Sequence, residues 1–561
     1  METLPLDDVS TPSFLEQLCT HILEAGWLLA IPLTVIFFNV YSTRVFEPDK
    51  STTLRALSTL MLIVWIIFLF ERKQRPQPLH FDLKTPLVLP ALLTLGINLL
   101  SAIFSIAPRA SFLGSYQRAQ GIYSLFGYVM LFFTILTCLR TRLQLSRLLT
   151  VFIVTSVPVI IYAIDQHTGA DPMPWGVDIE NLISSTLGNS TYLAAYCVTL
   201  MPLTLSKLIE GVNDLLTDLN KRVSTVIRCI SYTIILAGQA LLLLYTQHNL
   251  HSRGAWLGFV IAIYFFFCLV FSVLVRHRKL SISWFGFGSV LLIMLFLINI
   301  PGPLQKYVQQ TRWLKSVTQL SETQSGTGKV HMLIWQGITE LILPHAPLEY
   351  PDGHKDILNP IRPLIGYGPE TLYMAFNRFY PPELGHYESR TASPDRAKNE
   401  TLDVLAMTGL LGLGAYLFTF GSIFYWGLRW LGLINTPKQT CIFMGTVLGS
   451  IILLTGLTTW LVAIYLIGIA IALGFVGGVL LYVTGYSVLP ANKAHLATLP
   501  PSSHNILIIG ILSAIMAHFI AINIGNATSV TYTTFWILTG LLVVLGQKWV
   551  PEYKNCNHLV L

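Results

Sequence analysis

The chain has 561 residues, of which 53% are hydrophobic and only 11% are charged, and its formal net charge is +7. Soluble domains usually carry about 25% charged residues, so this composition excludes a soluble enzyme held by a single anchor. Apolar runs of about twenty residues recur along the chain, and each is long enough to cross a bilayer as a helix. We therefore predict an all-α polytopic membrane protein, and the lack of an alternating apolar pattern argues against a β-barrel.

We predict about 12–14 membrane-spanning helices. The weakest boundary is the pair between 440 and 485, because only a short break around Trp460 separates the two apolar runs. The predicted spans are 22–41, 54–70, 85–106, 120–138, 146–164, 190–208, 227–246, 254–274, 282–300, 403–426, 440–457, 463–485, 505–524 and 530–547.

The chain divides into three parts in this prediction. Residues 1–300 hold about nine spans, residues 301–402 form one long polar loop, and residues 403–561 hold about five spans. Within the loop, two amphipathic pieces are expected near 303–319 and 330–343. Loops of this length are uncommon in proteins unless they serve a function.

Basic residues orient the chain. Arg72, Arg140 and Arg276 each lie in a loop with further lysines or arginines, and the three loops share one side if the spans alternate. Cytoplasmic loops are rich in Lys and Arg, which places that side, and both termini, in the cytoplasm. The loop 301–402 then lies outside the cell membrane. The same rule accounts for the net charge of +7 without a nucleic-acid partner.

Four polar segments fall on the outer face in this topology, and each has a structural alternative to a functional role. Arginines at helix ends often extend to the interface, Asn189 can cap a helix, and "GYGP" is common in turns. Asn399 can likewise cap a span, and the negative charge of Glu400 next to it interacts favourably with the positive end of the helix dipole. The convergence of these segments on one face favours a phosphate-binding site, because guanidinium groups and helix N-termini bind phosphate. The segments are Ser105–Gly121, Ser185–Tyr196, His251–Gly258, and Arg362–Glu383 followed by the stretch Asp395–Gly412.

The order and the residues of these motifs resemble those of the O-antigen ligase superfamily, which includes O-antigen polymerases and bacterial protein O-oligosaccharyltransferases. The segments that carry the resemblance are "SSTLGNSTYLAAY", "SRGAWLG", "PLIGYGPETL" and "DRAKNETLDVLAMTGLLGLGAYL". Each motif is weak alone, but the ordered set is specific and covers roughly Ser105 to Leu417.

The resemblance implies a glycosyltransferase that needs neither metal nor cofactor. The donor is a glycan on a polyprenyl diphosphate, and the acceptor is a hydroxyl of a glycan, a lipid or a protein, on the outer face of the membrane. The site residues expected from it are a catalytic group of Lys398, Asn399 and Glu400, and diphosphate ligands Arg118, Asn189, Arg253 and Arg396.

Three positions depart from the family pattern. Lys398 stands where the family has a histidine usually regarded as catalytic, Leu182 falls where an arginine is expected, and His331 replaces an arginine before the "LIW" helix. A lysine is ordinarily protonated at neutral pH, so Lys398 suits phosphate binding better than proton abstraction. Glu400, Glu388 and His386 are then the candidates for the base.

Two other functions stay open from the sequence. A family member that has lost catalysis would bind the lipid-linked glycan without turnover. A transporter or flippase would also fit many spans and an outer cationic site, but it predicts charged residues deep in the membrane and broken helices in repeated halves.

Overall fold

The structure is a computed structural model, and most of the residues that it describes lie in helices. It describes residues 13–73, 82–173, 183–217, 222–250, 253–275, 278–299, 326–350, 352–388, 392–489 and 504–551. Over these ranges no β-strand is formed, and one isolated bridge joins Glu349 to Lys355.

Eleven helices within the described residues are long and apolar enough to cross a membrane, and two shorter apolar helices, α3 and α5, accompany them. Helices α6 and α7 together form one of the eleven. The helices are α1 (Phe14–Ile36), α2 (Glu47–Lys73), α3 (Val88–Ile103), α4 (Pro108–Leu113), α5 (Ile122–Cys138), α6 (Arg142–Val154), α7 (Ser156–His167), α8 (Ser190–Thr217), α9 (Arg222–Leu250), α10 (Arg253–Leu269), α11 (Arg278–Asn299), α12 (Gly326–Ile342), α13 (Glu400–Trp430), α14 (Pro437–Leu461), α15 (Ile467–Val488), α16 (Asn505–Asn523) and α17 (Ser529–Gly546).

Every predicted span coincides with a helix, which confirms a polytopic helical architecture. The uncertain break near Trp460 is present, because α14 ends at Leu461 and a single 3₁₀ turn precedes α15. The first two spans had wrong boundaries. The span predicted at 22–41 is the helix Phe14–Ile36, and the span predicted at 54–70 begins at Glu47, so the polar stretch before 54 is helical.

The two ends of the helix bundle differ in their charged residues. At one end Arg72 lies 3.8 Å from Glu16, and Arg142 Nε donates to the carbonyl of Pro551 at 2.8 Å. At the other end Glu47 accepts hydrogen bonds from the backbone and side chain of Ser529. The charge of Arg72 also acts on Arg140, so the loops of Arg72 and Arg140 share an end, as alternating spans require. Arg276 lies outside the described residues, and the assignment of that end to the cytoplasm stays a prediction.

Helix α13 is interrupted one third of the way along. Gly409 has φ 65° and ψ −164°, which is not helical. The "GYG" segment of the preceding loop lies against this interruption: the N–H of Tyr367 donates to the carbonyl of Ala406 at 3.1 Å, and that of Gly368 to Met407 at 2.8 Å. Carbonyls that the broken helix leaves unpaired are thus satisfied by the loop.

Two glycines make this close approach possible. A Cβ at Gly366 would lie 2.2 Å from the backbone of Met407, and one at Gly409 would lie 2.3 Å from the backbone of Leu364. The loop is fixed from its other side by Arg362, whose guanidinium pairs with Asp356 at 2.7 Å and donates to the carbonyl of Phe104. The loop and the interrupted helix form one packed unit.

Helix α12 is the amphipathic piece predicted at 330–343, while the piece predicted at 303–319 lies outside the described residues. Its apolar face packs with the loop and with the start of α13. The buried cluster includes Ile334, Trp335, Phe376, Leu384, Ala397 and Leu402. Short helical turns between 359 and 386 supply the rest of that cluster.

We predict that Gly409→Ala destabilises the protein by roughly 1–3 kcal/mol or more, because alanine disfavours the left-handed backbone and its methyl group collides with the loop. Thermal unfolding in detergent measures the loss. The matched control is Gly414→Ala on the same helix, where a Cβ meets nothing within 4 Å; it should leave stability unchanged or slightly raised. Equal midpoints for the two variants would contradict the interrupted helix.

Candidate functional site

The start of α13 is held by a layer of asparagines. Asn399 is the N-cap: its Oδ1 accepts from the N–H of Leu402 at 2.8 Å, and its Nδ2 donates to the carbonyl of Asn523 at 2.7 Å. Asn523 Oδ1 in turn accepts from the N–H and hydroxyl of Thr401. Two of the first N–H groups of the helix are therefore already bonded and do not face a ligand.

The turn before that cap is also fixed. The indole N–H of Trp335 donates to the carbonyl of Ala397 at 2.7 Å, and the N–H of Ala397 donates to Asp403 Oδ1 at 2.7 Å. Lys398 follows in the left-handed conformation, with φ 56°. That conformation is uncommon for a residue with a side chain, and here both flanking residues impose it.

Lys398 is half-buried and forms no hydrogen bond or ion pair within the described part of the chain. Its charge acts on Asp395 and on Tyr192. It is therefore a positive charge placed among polar groups without being neutralised by direct contact.

Arg118 is paired with Asp395. The guanidinium Nε lies 2.5 Å from Asp395 Oδ2, and Nη1 donates to the hydroxyl of Tyr192 at 3.3 Å. Burial alone would raise the pKa of Asp395, but the charge and hydrogen bonds of Arg118 outweigh it and lower that pKa to about 2. The sequence segments that contain Ser105–Gly121, Ser185–Tyr196 and the start of α13 thus meet at this ion pair.

An open pocket of about 350 Å³ lies at this junction. Arg118, Asp395 and Tyr192 line one side of it, and Arg44 brings a second guanidinium. The pocket is large enough for a diphosphate with part of a sugar. Its charged lining residues are two arginines, Arg44 and Arg118, and two carboxylates, Glu47 and Asp395.

Arg396, predicted as a diphosphate ligand, lies in a different place. It is 6% exposed, forms an ion pair with Glu370, and donates to Gln120 at 3.1 Å. Glu370 is held further by the N–H and hydroxyl of Ser115. This geometry favours a framework role for Arg396, because its charge is matched and its side chain does not line the open pocket.

Glu400 and Asn399, predicted as catalytic, are both buried. Glu400 is 3% exposed and accepts from the hydroxyl of Tyr532 at 2.5 Å, and Asn399 is committed to the helix cap. The structure therefore favours positioning roles for these two residues over direct contact with substrate.

The remaining predicted residues are dispersed. Asn189 is exposed and caps α8, accepting from the N–H of Thr191 at 2.8 Å. Arg253 is the first residue of α10, but its side chain lies outside what the structure describes, as does Leu182. His386 is exposed at the end of a turn whose Leu384 packs beside Ala397.

Sequence reasoning missed the buried charges at the start of α2. Lys50 donates to the carbonyls of Val35 and Thr186, and Arg55 donates to Ser124 and to loop carbonyls. Glu47 joins Gln120 to Ser529. Polar residues at helical spacing already indicated a polar helix face before residue 54. They are Glu47, Lys50 or Ser51, Arg55 and Ser58. The predicted span began at 54 and therefore excluded most of this face.

An apolar cavity of about 330 Å³ lies beside the asparagine layer. It is enclosed by α10, α12, α15 and α16, and Asn523 lies at its polar edge. His331, which replaces the arginine expected from the family pattern, lines the same cavity with Trp335.

Comparison with known proteins does not identify the chain. No model of a known protein family matches the sequence, and no curated protein matches it. The motif resemblance therefore remains a prediction.

We predict that Asp395→Asn costs about 2 kcal/mol of stability at neutral pH. The depressed pKa means that this contribution is present above the ordinary aspartate pKa and is lost as pH falls through about 2. The difference between wild type and variant should thus stay constant from about pH 8 to pH 4 and shrink only below that.

Unfolding midpoints across that pH range measure the effect. Asp352→Asn is the control, since Asp352 is exposed and pairs with an exposed histidine; it should change stability by less than about 0.5 kcal/mol. A difference for Asp395→Asn that already disappears near pH 5 would contradict the strength of the Arg118 pair.

Proposed function

We propose that this protein is a membrane glycosyltransferase that moves a glycan from a polyprenyl diphosphate carrier to an acceptor hydroxyl at the outer face of the cell membrane. The observation that carries the proposal is the meeting of remote motifs at one end of the bundle. Arg118, Tyr192 and Asp395 join there beside the cap of α13, and these are segments on which the motif resemblance rests.

The proposal accounts for two adjacent spaces of different character. A lipid-linked diphosphate needs a cationic pocket for its head and an apolar space for its chain. The pocket at Arg118 contains two guanidinium groups, those of Arg44 and Arg118, and the apolar cavity of about 330 Å³ has Asn523 in its lining. Asn526, three residues after Asn523, donates to the hydroxyl of Tyr192, which lines the pocket.

Lys398 does not line the pocket, but its charge acts on two residues that do, Asp395 and Tyr192, and we assign it to the phosphate. Arg118 is already paired with Asp395 and Arg396 with Glu370, whereas Lys398 has no such partner within the described residues. Charge-assisted hydrogen bonds from a lysine stabilise phosphate oxygens without a metal. Arg118 contributes a second cation when the diphosphate shares it with Asp395.

In the reaction, the acceptor oxygen forms a bond to the anomeric carbon while the bond from that carbon to the diphosphate breaks. The polyprenyl diphosphate leaves with the electron pair, and its charge is stabilised by Lys398 and Arg118. The hydroxyl proton passes to a base. We assign that role to His386 or Glu388, which lie in the loop packed against Ala397, because Glu400 is buried and bonded to Tyr532.

A transporter is the second candidate, and two observations favour it. Helix α13 is interrupted at Gly409, and several charged residues are buried among the spans, including Lys50 and Arg55. Interrupted helices and buried charges are typical of transporters. These features lie near one end of the bundle, however, and a transporter would move the donor intact.

We predict that Lys398→Ala weakens binding of a polyprenyl diphosphate by about ten- to a hundredfold, since a hydrogen bond to a charged group is worth about 1.5–3 kcal/mol. Lys398→Arg should keep a good part of the affinity. Lys398→His should support transfer at least as fast as wild type, because it restores the family pattern. Binding and transfer are measured on purified protein in nanodiscs.

The control is Lys279→Ala, which removes an exposed lysine at the other end of the bundle and should leave binding unchanged. If the chain has lost catalysis, wild type binds donor without turnover and Lys398→His restores transfer. Unchanged donor binding by Lys398→Ala would show that the charged segment is only a helix cap.

A further inference from the structure

A small polar cavity lies beneath the start of α13, separate from the open pocket. Its volume is about 70 Å³. The charged residues that line it are Glu370, Arg396, Glu400 and Asp403. Neutral polar residues complete the lining: Asn98, Gln120, Tyr128, Thr408 and Tyr532.

Several buried oxygens of this lining have no hydrogen-bond partner. They are Glu400 Oε2, Asp403 Oδ2 and the hydroxyl of Tyr128, and one nitrogen of the lining, Arg396 Nε, has no acceptor. Glu400, Asp403 and Tyr128 are 3%, 1% and 2% exposed. An unpartnered buried carboxylate oxygen is costly, so these atoms point to a ligand that the cavity is built to hold.

The charge of the lining is negative. Glu370 is neutralised by its ion pair with Arg396, whereas Glu400 and Asp403 have no ion pair within the described residues. The charge of Arg396 also acts on Asp403, so the excess is smaller than the two carboxylates alone would give. Buried charge of this kind is retained in proteins only when it is compensated.

A hydroxyl beside the cavity can also coordinate an ion. Met407 and Thr408 line the cavity and immediately precede the interruption of α13 at Gly409. The carbonyls of Ala406 and Met407 already accept hydrogen bonds from the loop, so the side chain of Thr408 is what this segment offers to an ion. The hydroxyl of Thr408 donates to the carbonyl of Val404, so its oxygen remains able to coordinate a cation.

We propose that this cavity binds a monovalent alkali cation, with one carboxylate oxygen each from Glu400 and Asp403 and neutral oxygens from Tyr128 and Thr408. A divalent ion fits less well, because calcium takes six to eight oxygens and the guanidinium of Arg396 faces the same space. No group of three or more His, Cys, Asp or Glu in the described residues is arranged to hold a metal. The site is independent of the proposed glycosyl transfer.

The test is thermal unfolding of the purified full chain in EDTA, at equal ionic strength in sodium, potassium or choline chloride. We expect the midpoint to be higher by several degrees in sodium or potassium than in choline, and to rise with the logarithm of the cation concentration. Equal midpoints in all three salts would mean that the cavity holds water or a proton and would overturn the proposal.

Variants locate the effect. Asp403→Asn and Glu400→Gln should lose the cation response, and Tyr128→Phe, which keeps charge and shape, should need several-fold more cation for the same midpoint. Glu388→Gln, outside the cavity, should respond like wild type. A cation response that survives in Asp403→Asn and Tyr128→Phe alike would overturn the site, as would a loss of stability on adding EDTA alone, since that indicates a divalent ion.

Discussion

The interruption of α13 at Gly409 is the constraint on which the rest of this structure depends. A span that breaks one third of the way along leaves carbonyls without helical partners, and these must be bonded because lipid offers no water. The segment Gly366–Gly368 supplies the donors, which fixes the loop against the bundle. The loop then holds Glu370 beside Arg396, and the turn at 395–399 is fixed by Trp335 and Asp403. Motifs that are remote in sequence meet because one helix is broken.

That arrangement separates the polar groups into two layers with different chemistry. The first layer contains Lys398 and the Arg118–Asp395 pair, and the two residues of that pair line the open pocket. The second layer contains Glu400 and Asp403, which line the small cavity. The backbone between them is only a few residues long, so charge in one layer acts on the other at short range.

The spans were predictable from the sequence because hydrophobic length is a strong signal, and even the short break near Trp460 was placed correctly. The start of α2 was not, since Glu47, Lys50 and Arg55 are polar and their burial depends on partners from remote segments such as Thr186 and Ser529. The sequence predicted that the segments of Arg118 and Lys398 lie on the same face, and in the structure both charges act on Asp395. It did not reveal that Arg396 and Asn399 are used by the framework, because that depends on Glu370, in a left-handed turn, and on Asn523, more than a hundred residues later.

The proposed function requires that a polyprenyl diphosphate-linked glycan is cleaved at the site beside Arg118 and Lys398. The most direct measurement uses wild-type protein in proteoliposomes with that donor and a panel of saccharide, lipid and Ser/Thr peptide acceptors. Free polyprenyl diphosphate and the leaflet position of intact donor are followed together. We expect free polyprenyl diphosphate to appear only when an acceptor is present, at the same rate as a glycosylated product. Intact donor that changes leaflet without cleavage would contradict it and would identify a transporter.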